Sequence, residues 1–413
     1  MKETNFKDTE FGKIPNGWRI AKFKDVLSTF SSGATPYRGN SNFYKGNIKW
    51  ISSGELNNKV ITDSIEHISQ DALERTHLKI YPVGTFLMAI TGLEAEGTRG
   101  KCCIVGAPSA TNQSCLAING TEYVITNYLY WFYNFWSDYL AFKYCQGTKQ
   151  QSYTAEIVKN LPIYYPPISE QRRIADALRK VDNLIESIDK LIAKKQAIKK
   201  GAMQELLTGK KRLPGFEGVW KTTSIGEIAD IVGGGTPSTS NESYWGGSIQ
   251  WFTPGELSLG KKFLYKSQRT ITLQGLANSS AKLLPRNTIL LTSRASIGMK
   301  AILLNEATTN QGFQSLIVNH SCNTEFVYYM LDTLKNEMIQ RASGSTFLEI
   351  SSTKLSSIEI KVPTLSEQRA IAHVLSTMDS EIEALERKRD KYKQVKQGMM
   401  QDLLTGRIRL TEN

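Results

Sequence analysis

Two stretches of the chain carry apolar residues at alternating steps of three and four. In residues 169–213 the pattern runs through Ile174, Ala177, Leu178, Val181, Leu184, Ile185, Ile188, Leu191 and Ile192. In residues 366–413 it runs through Ile371, Val374, Leu375, Met378, Ile382, Leu385, Tyr392, Val395 and Met399. Steps of three and four place these side chains on one face of an α-helix. Neither run contains proline. Each follows one (Pro166-Pro167, Pro363), begins at a candidate N-cap, Ser169 or Ser366, and stops near Gly209 or Gly406. About 40 residues at ~1.5 Å each make a rod of roughly 60 Å. A lone rod of that length leaves its apolar stripe in water. The pattern therefore predicts two long helices packed antiparallel, with a globular module at each end.

Outside these rods the pattern changes to short runs bounded by Gly, Pro, Asn and Ser, as strands are. Residues 48–51, 86–90, 102–105 and 115–118 form one set. Residues 249–252, 289–292, 301–304 and 315–318 form a second. One helix per set follows, with Thr126 and Thr324 as candidate N-caps. The first is dense in aromatic residues (Tyr128, Tyr130, Trp131, Phe132, Tyr133, Phe135, Trp136), which at helical spacing belong to a core.

The two sets are copies. Ser169-Glu170-Gln171-Arg172 returns as Ser366-Glu367-Gln368-Arg369, and eight of the eleven positions from Met203 to Leu213 are identical 197 residues later. Trp18 returns as Trp220, Thr35-Pro36 as Thr236-Pro237, Trp50 as Trp251, Gly54-Glu55-Leu56 as Gly255-Glu256-Leu257, Pro82 as Pro285, and Asn112-Gln113 as Asn310-Gln311. Such a period is an internal duplication. The expected architecture is α+β: mixed modules over 1–168 and 214–365, joined by spacer helices over 169–213 and 366–413 in a pseudo-two-fold repeat. The pairing residues are Ile174, Leu178, Val181, Ile185, Ile188 and Ile192 on one helix. On the other they are Ile371, Leu375, Met378, Ile382, Leu385 and Met399. The frame is shared but a loop is not, because Pro82 to Asn112 is five residues longer than Pro285 to Asn310. That suits two readers of different ligands.

Composition narrows the partners. The formal charge is +12, which points to a polyanion. Residues 169–213 hold twelve basic and six acidic side chains, half of that excess. The five cysteines are odd in number and contain no CxxC pair, and the four histidines are scattered. Both facts argue against a disulfide framework and a metal site, and fit a reducing cytoplasm. No apolar run approaches the ~20 residues of a membrane span.

Catalytic signatures are missing. Gly255 to Lys261 has Walker A spacing, but Lys262 stands where a magnesium-holding hydroxyl is needed. Gly233-Gly234-Gly235 lacks the dinucleotide spacing. No Asn-Pro-Pro-Tyr or Asp-Pro-Pro-Tyr run is present to hold a flipped adenine, and no HExxH. This favours a binding protein over an orphan methyltransferase. It leaves open whether the chain serves an enzyme partner or acts alone as a tandem DNA-binding regulator.

Reading bases needs short polar side chains and arginine. The loop candidates in the first module are Thr35, Tyr37, Arg38, Asn40, Arg99, Lys101, Lys149, Gln150 and Tyr153. In the second they are Thr236, Ser238, Thr239, Asn241, Ser293, Arg294, Ser296, Arg341 and Thr346. Asn112-Gln113 and Asn310-Gln311 occur in both modules and read as frame.

Two modules with Gly-x-Thr-Pro and Asn-Gln, each followed by a proline linker, Ser-Glu-Gln-Arg and a long helix ending in Leu-Leu-Thr-Gly, resemble the specificity subunit of type I restriction-modification systems. The second linker departs, with Glu359 and Pro363-Thr364 where the first has Pro162 and Pro166-Pro167. The resemblance implies two target-recognition domains, each reading half of a split DNA site, and a helix pair that fixes the gap. It also implies a non-catalytic chain without a cofactor. Its partners would be double-stranded DNA, two copies of a methyltransferase subunit using S-adenosylmethionine, and restriction subunits using ATP and magnesium.

Overall fold

A computed structural model of the chain describes residues 5–93, 99–147, 151–257, 260–344 and 348–411. Two units divide it: residues 1–189 with 388–413, and residues 190–387.

In the first unit a five-stranded sheet runs in the order Ser28–Ser32, Cys115–Asn119, Phe86–Ala89, Cys102–Val105, Lys59–Ile61. Its pairings are antiparallel except the last, which is parallel. A second sheet places Ile48–Ile51 between Ser109–Thr111, parallel, and Glu66–Ile68, antiparallel. The Pro162–Tyr165 strand pairs with Arg19–Lys22 and leads into the first long helix. The second unit repeats this order with Ala229–Gly233, Gln314–Val318, Ile289–Leu291, Lys300–Leu303 and Phe263–Leu264. Its smaller sheet sets Trp245–Phe252 between Arg269–Ile271 and Ala307–Thr309. Each of the eight sequence-expected strands coincides with one of these elements, three of them running one residue past its end at Ile90, Thr292 and Leu304. Among the described residues, the hairpin Phe6–Thr9 with Gly12–Pro15 belongs to the first unit alone.

The helix Thr126–Tyr144 covers the first sheet. Tyr128, Tyr130, Trp131, Phe132 and Tyr133 are core and Phe135 and Trp136 pack against it, while Phe142 is exposed: Tyr133 meets Phe86 edge-on at 5.7 Å, Phe132 meets Tyr164 at 5.2 Å, and the Trp136 indole N–H donates to the Tyr164 hydroxyl at 2.6 Å. All four expected caps are displaced. Ile125 occupies the N-cap position of this helix, and Thr126 Oγ1 instead accepts from the Gly120 amide. In the second unit Asn323, not Thr324, caps Thr324–Thr333 by accepting from the Phe326 amide. The long helices, Ile168–Leu206 and Leu365–Leu404, begin one residue before Ser169 and Ser366, so neither serine is the cap.

The duplicated Ser-Glu-Gln-Arg run explains itself in the fold. Gln171 is fully buried; its Nε2 donates to the carbonyls of Tyr123 and Pro166 while its Oε1 accepts from the Ile125 amide. Gln368 repeats this with Pro363 and Asn323. Each glutamine thus fastens a long helix to the start of the module helix before it. Glu170 accepts two hydrogen bonds from Arg409, both 2.7 Å, and Glu367 two from Arg212 at 2.6 and 2.7 Å. Each arginine also lies over a tryptophan, Arg409 over Trp18 and Arg212 over Trp220. Gly406 and Gly209 turn the chain toward these clamps with φ of +71° and +70°, which a side chain resists.

Within each unit the two long helices are antiparallel. In the first, Glu170 pairs with Arg409 and Asp182 with Lys396; in the second, Glu367 pairs with Arg212 and Asp379 with Lys199. Along the seam Ile174, Leu178, Ile185, Ile188, Ile192, Ile371, Leu375 and Ile382 are buried, and Val181, Met378, Leu385 and Met399 half-buried. Leu184, Leu191 and Val395, which also fit the periodicity, are more than a third exposed. Lys195 and Lys199 lie on the stripe and are held there by Glu381 and Asp379. Among the described residues, no helix is long and apolar enough to cross a membrane.

Candidate nucleic-acid interface

Four loops meet in each unit. In the first, the Ala34 amide donates to the Thr111 carbonyl at 3.1 Å, which brings the Gly-x-Thr-Pro loop against the Asn-Gln turn. A Cβ on Gly33 would lie 1.8 Å from that carbonyl oxygen, so the approach requires glycine. The Ile90 amide donates to the Ser114 carbonyl, and the Tyr153 amide to the Ile90 carbonyl, which adds the loops after residues 90 and 146. In the second unit Gly235 donates to Thr309, Ser293 to Gly312 and Ile350 to Ser293. A Cβ on Gly234 would lie 2.0 Å from the Asn310 carbonyl oxygen.

The duplicated landmarks are the supports of this cluster. The Trp50 indole donates to the Ala34 carbonyl and the Trp251 indole to Gly235. Glu55 accepts from the amides of Ser52 and Ile65, and Glu256 from those of Thr253 and Gln268. These carboxylates tie two loops by backbone hydrogen bonds and are occupied in doing so. The Walker-like run ends in Lys262, whose ammonium donates to Glu325 at 2.5 Å and to the Tyr329 hydroxyl at 2.8 Å, a packing role. Ser258 and Leu259 of that run lie outside the described residues.

The predicted contact residues separate on this surface. Tyr37 is 75 % exposed, and Ser238, Thr239 and Ser296 are exposed too. Arg294 and Lys101 are half-exposed. Arg99 is half-exposed and donates to the Leu93 carbonyl. Asn40 and Asn241 cap short 3-10 turns by accepting from Asn42 and Ser243. Arg38 forms two hydrogen bonds to Glu66, at 2.6 and 2.9 Å, and stacks over Tyr44 and Trp50. That pair holds the Glu66 carboxyl below its usual range and raises the guanidinium. Arg341 is tied to Glu337 and Ser357. Two candidates are corrected: Tyr153, 3 % exposed, and Ser293, fully buried, are core residues, the one packed among aromatics and the other bonded through its backbone. Lys149, Gln150 and Thr346 lie outside the described residues.

The structure adds residues that polar-loop reasoning passes over. Arg269 stacks on Trp245 at 3.7 Å and lies 5.6 Å from Trp251. It thus offers a guanidinium beside Trp251 as Arg38 does beside the equivalent Trp50, but from a strand rather than from a loop. The signal was in the strand register, where Glu66 faces Trp50 and Arg269 faces Trp251. Gln113 and Gln311 are exposed at the centre of each loop cluster, where Thr35 and Thr236 donate to their Oε1 atoms at 2.6 and 2.5 Å.

Residues 15–197 and 217–394 each match the family model of the type I restriction modification DNA specificity domain. The chain belongs to this family. One relative, the putative type I restriction enzyme MjaX specificity subunit of Methanocaldococcus jannaschii, is 28 % identical over 99 % of this chain and 98 % of its own length. The MjaIX specificity subunit of the same organism is 40 % identical over 168 residues, 40 % of this chain and 39 % of the relative. The crystal structure of the type I restriction-modification S subunit from M. genitalium shares the fold, with a TM-score of 0.62 at 15 % identity over 94 % of this chain and 96 % of that one. Each loop cluster described above thus lies in a specificity domain.

Proposed function

We propose that the chain is the DNA sequence-specificity subunit of a type I restriction-modification complex and is itself non-catalytic. The observation that carries this reading is the duplicated specificity domain, in which one frame presents loops with different residues at their tips. We assign residues 1–168 and 214–365 as target-recognition domains, each for one half of a split double-stranded site. Residues 169–213 and 366–413 are the helices that set the gap and dock two methyltransferase subunits. S-adenosylmethionine belongs to those partners, ATP and magnesium to restriction subunits recruited through them, and the complex works in the cytoplasm.

The test is a four-residue insertion between Ala193 and Lys194, made in a host that supplies the methyltransferase partner. Four residues add about 6 Å of helix, between one and two base pairs at ~3.4 Å each. Four residues overshoot one helical turn by only about 40°, so the stripe stays roughly in register. Lys195 and Lys199 are themselves four apart, so a slip of that length again presents a lysine to Asp379. Methylome sequencing should show unchanged half-sites and a gap longer by one or two base pairs. An active variant with an unchanged gap overturns the gap-setting role. Methyl transfer by the purified chain alone overturns the non-catalytic assignment.

A further inference from the structure

The geometry points to Gln113 and Gln311 as equivalent contacts to the DNA sugar–phosphate backbone, one in each domain, that hold the duplex without reading its sequence. The inference rests on the DNA-specificity reading and adds the class of group these side chains meet.

Three observations lead there. The first is position. Both side chains are exposed at the centre of the loop cluster, on turns held by the preceding asparagine. Asn112 Oδ1 accepts from the Ser114 amide at 3.1 Å and Asn310 Oδ1 from the Gly312 amide at 2.9 Å. The asparagine amides in turn donate to Ile51 and Phe252, at 3.1 and 3.0 Å, so each turn is fastened to the end of a strand.

The second is the state of the carboxamide. A glutamine that reads adenine must turn its carboxamide so that it accepts from N6 and donates to N7 together. Here the acceptor end is engaged in each domain. The Thr35 hydroxyl donates to Gln113 Oε1 and the Thr236 hydroxyl to Gln311 Oε1. That bond holds the carboxamide by its oxygen and presents an NH2 group with two donors. Two donors fixed in direction suit an oxygen acceptor that carries charge, which a phosphate supplies.

The third is duplication amid difference. On the same Gly-x-Thr-Pro loop, Tyr37 and Arg38 stand where the second domain has Ser238 and Thr239. The tips vary while the Thr–Gln pair does not. A group that is constant while its surroundings change must meet something that both half-sites contain. Phosphates are common to every sequence, and bases are not.

The test uses the complex of the full chain with its methyltransferase partner on a duplex bearing its own site. Gln113→Ala and Gln311→Ala should each weaken binding by about tenfold to a hundredfold, the worth of a hydrogen bond to a charged group. The methylated motif should stay unchanged at both halves. Gln113→Glu keeps an acceptor for Thr35 but sets a negative charge against the phosphate, so it should lose more than Gln113→Ala. The salt slope should stay at the wild-type value, because a neutral side chain releases no counterion. Thr35→Val and Thr236→Val, which free the carboxamide to rotate, should lose less than the glutamine variants.

A scan of single neutral methylphosphonates against the wild-type complex needs no variant to fold. One position per half-site should weaken wild type and leave the matching alanine variant unaffected. A relaxed base at one half-site in a glutamine variant would make that residue a base reader and overturn the inference. Unchanged affinity in both alanine variants, or the absence of a phosphate position coupled to them, would overturn it as well. If wild type itself shows no preference for its site over unrelated duplex, the DNA-specificity reading fails. If wild type discriminates and the glutamine variants bind as tightly, only the present inference fails.

Discussion

Beneath its module helix the first unit sets the Cys102 thiol against the Asn134 carboxamide, 3.3 Å away. At the same place, 198 residues later, the second unit sets the Lys300 ammonium against the Asp332 carboxylate. Burial raises the Cys102 thiol, which keeps it neutral, and lowers Lys300, whose charge relies on Asp332 to offset the desolvation cost. The exchange spreads outward. Tyr130 donates to the Asn58 carbonyl at 2.5 Å in the first unit. In the second, Lys262, Glu325, Tyr329 and Asp379 form a chain of charged hydrogen bonds. The clamps at the helix ends do not vary at all: Glu170 with Arg409 and Trp18, Glu367 with Arg212 and Trp220. The interior of a unit can change from neutral to ionic provided every group stays satisfied, since only the unit's own residues must agree. The clamp joins residues 155 or 239 positions apart in the chain and is kept in both copies.

The largest effect expected is from breaking a clamp. Glu170 is 2 % exposed, and its removal in Glu170→Ala strands Arg409, whose guanidinium is raised by that hydrogen bond. The cost should be about 3 kcal/mol, near the low end for a broken buried pair because Arg409 keeps some water. Differential scanning calorimetry should resolve it as a fall in the first unit's transition alone, and Glu367→Ala should lower the other. If either variant lowered both transitions equally, the two units would not be separate in stability.

A smaller effect sharpens the contrast between the two interiors. Asp332→Asn leaves the Lys300 ammonium, 7 % exposed, without its counter-charge. The loss should be about 2 kcal/mol, limited because water reaches Asp332. Adding Lys300→Cys installs the first unit's own pair and should recover stability to within about 1 kcal/mol of wild type. Chemical denaturation of the single and double variants gives the coupling directly. A double variant no better than the single would show that the ionic pair is not interchangeable with the neutral one.

The architecture was legible because it is written in periodicity and duplication, which survive without any knowledge of contacts. The seam residues from Ile174 to Ile382 and all eight expected strands needed only spacing. Sequence could not tell which polar residues of a loop face outward. Ser293 and Tyr153 look like Ser296 and Tyr37 on paper, yet long-range backbone pairing with Gly312 and Ile90 buries the first two. Caps slipped by one residue because Asn323 and Thr324 are both capable of capping, and backbone geometry decides between them. Gln113 was visible as a repeated residue, but its bond to Thr35, 78 positions away, was not.

The smallest effect expected lies in exchanging the two helix ends. Residues 203–213 and 400–410 differ at three positions: Glu205 and Asp402, Lys210 and Arg407, Lys211 and Ile408. In the first unit Arg407 and Ile408 are exposed and Asp402 is half-exposed, whereas the shared Leu403 and Leu404 are buried. Asp402→Glu, Arg407→Lys and Ile408→Lys together should therefore shift stability by no more than about 0.5 kcal/mol. The consequence is an assembly. A fragment of residues 1–215 lacks Leu403, Leu404 and Arg409, so Glu170 and the apolar seat around Trp18 lose their occupant. The fragment also carries the near-identical Leu206, Leu207 and Arg212 with nothing to receive them. Two copies satisfy both needs reciprocally, which is a closed two-fold dimer. Light scattering should give a dimeric mass, and with the methyltransferase partner the dimer should direct methylation to two identical half-sites in inverted orientation. A folded fragment that stays monomeric at high concentration would show that the helix ends are not interchangeable, whatever their sequences share.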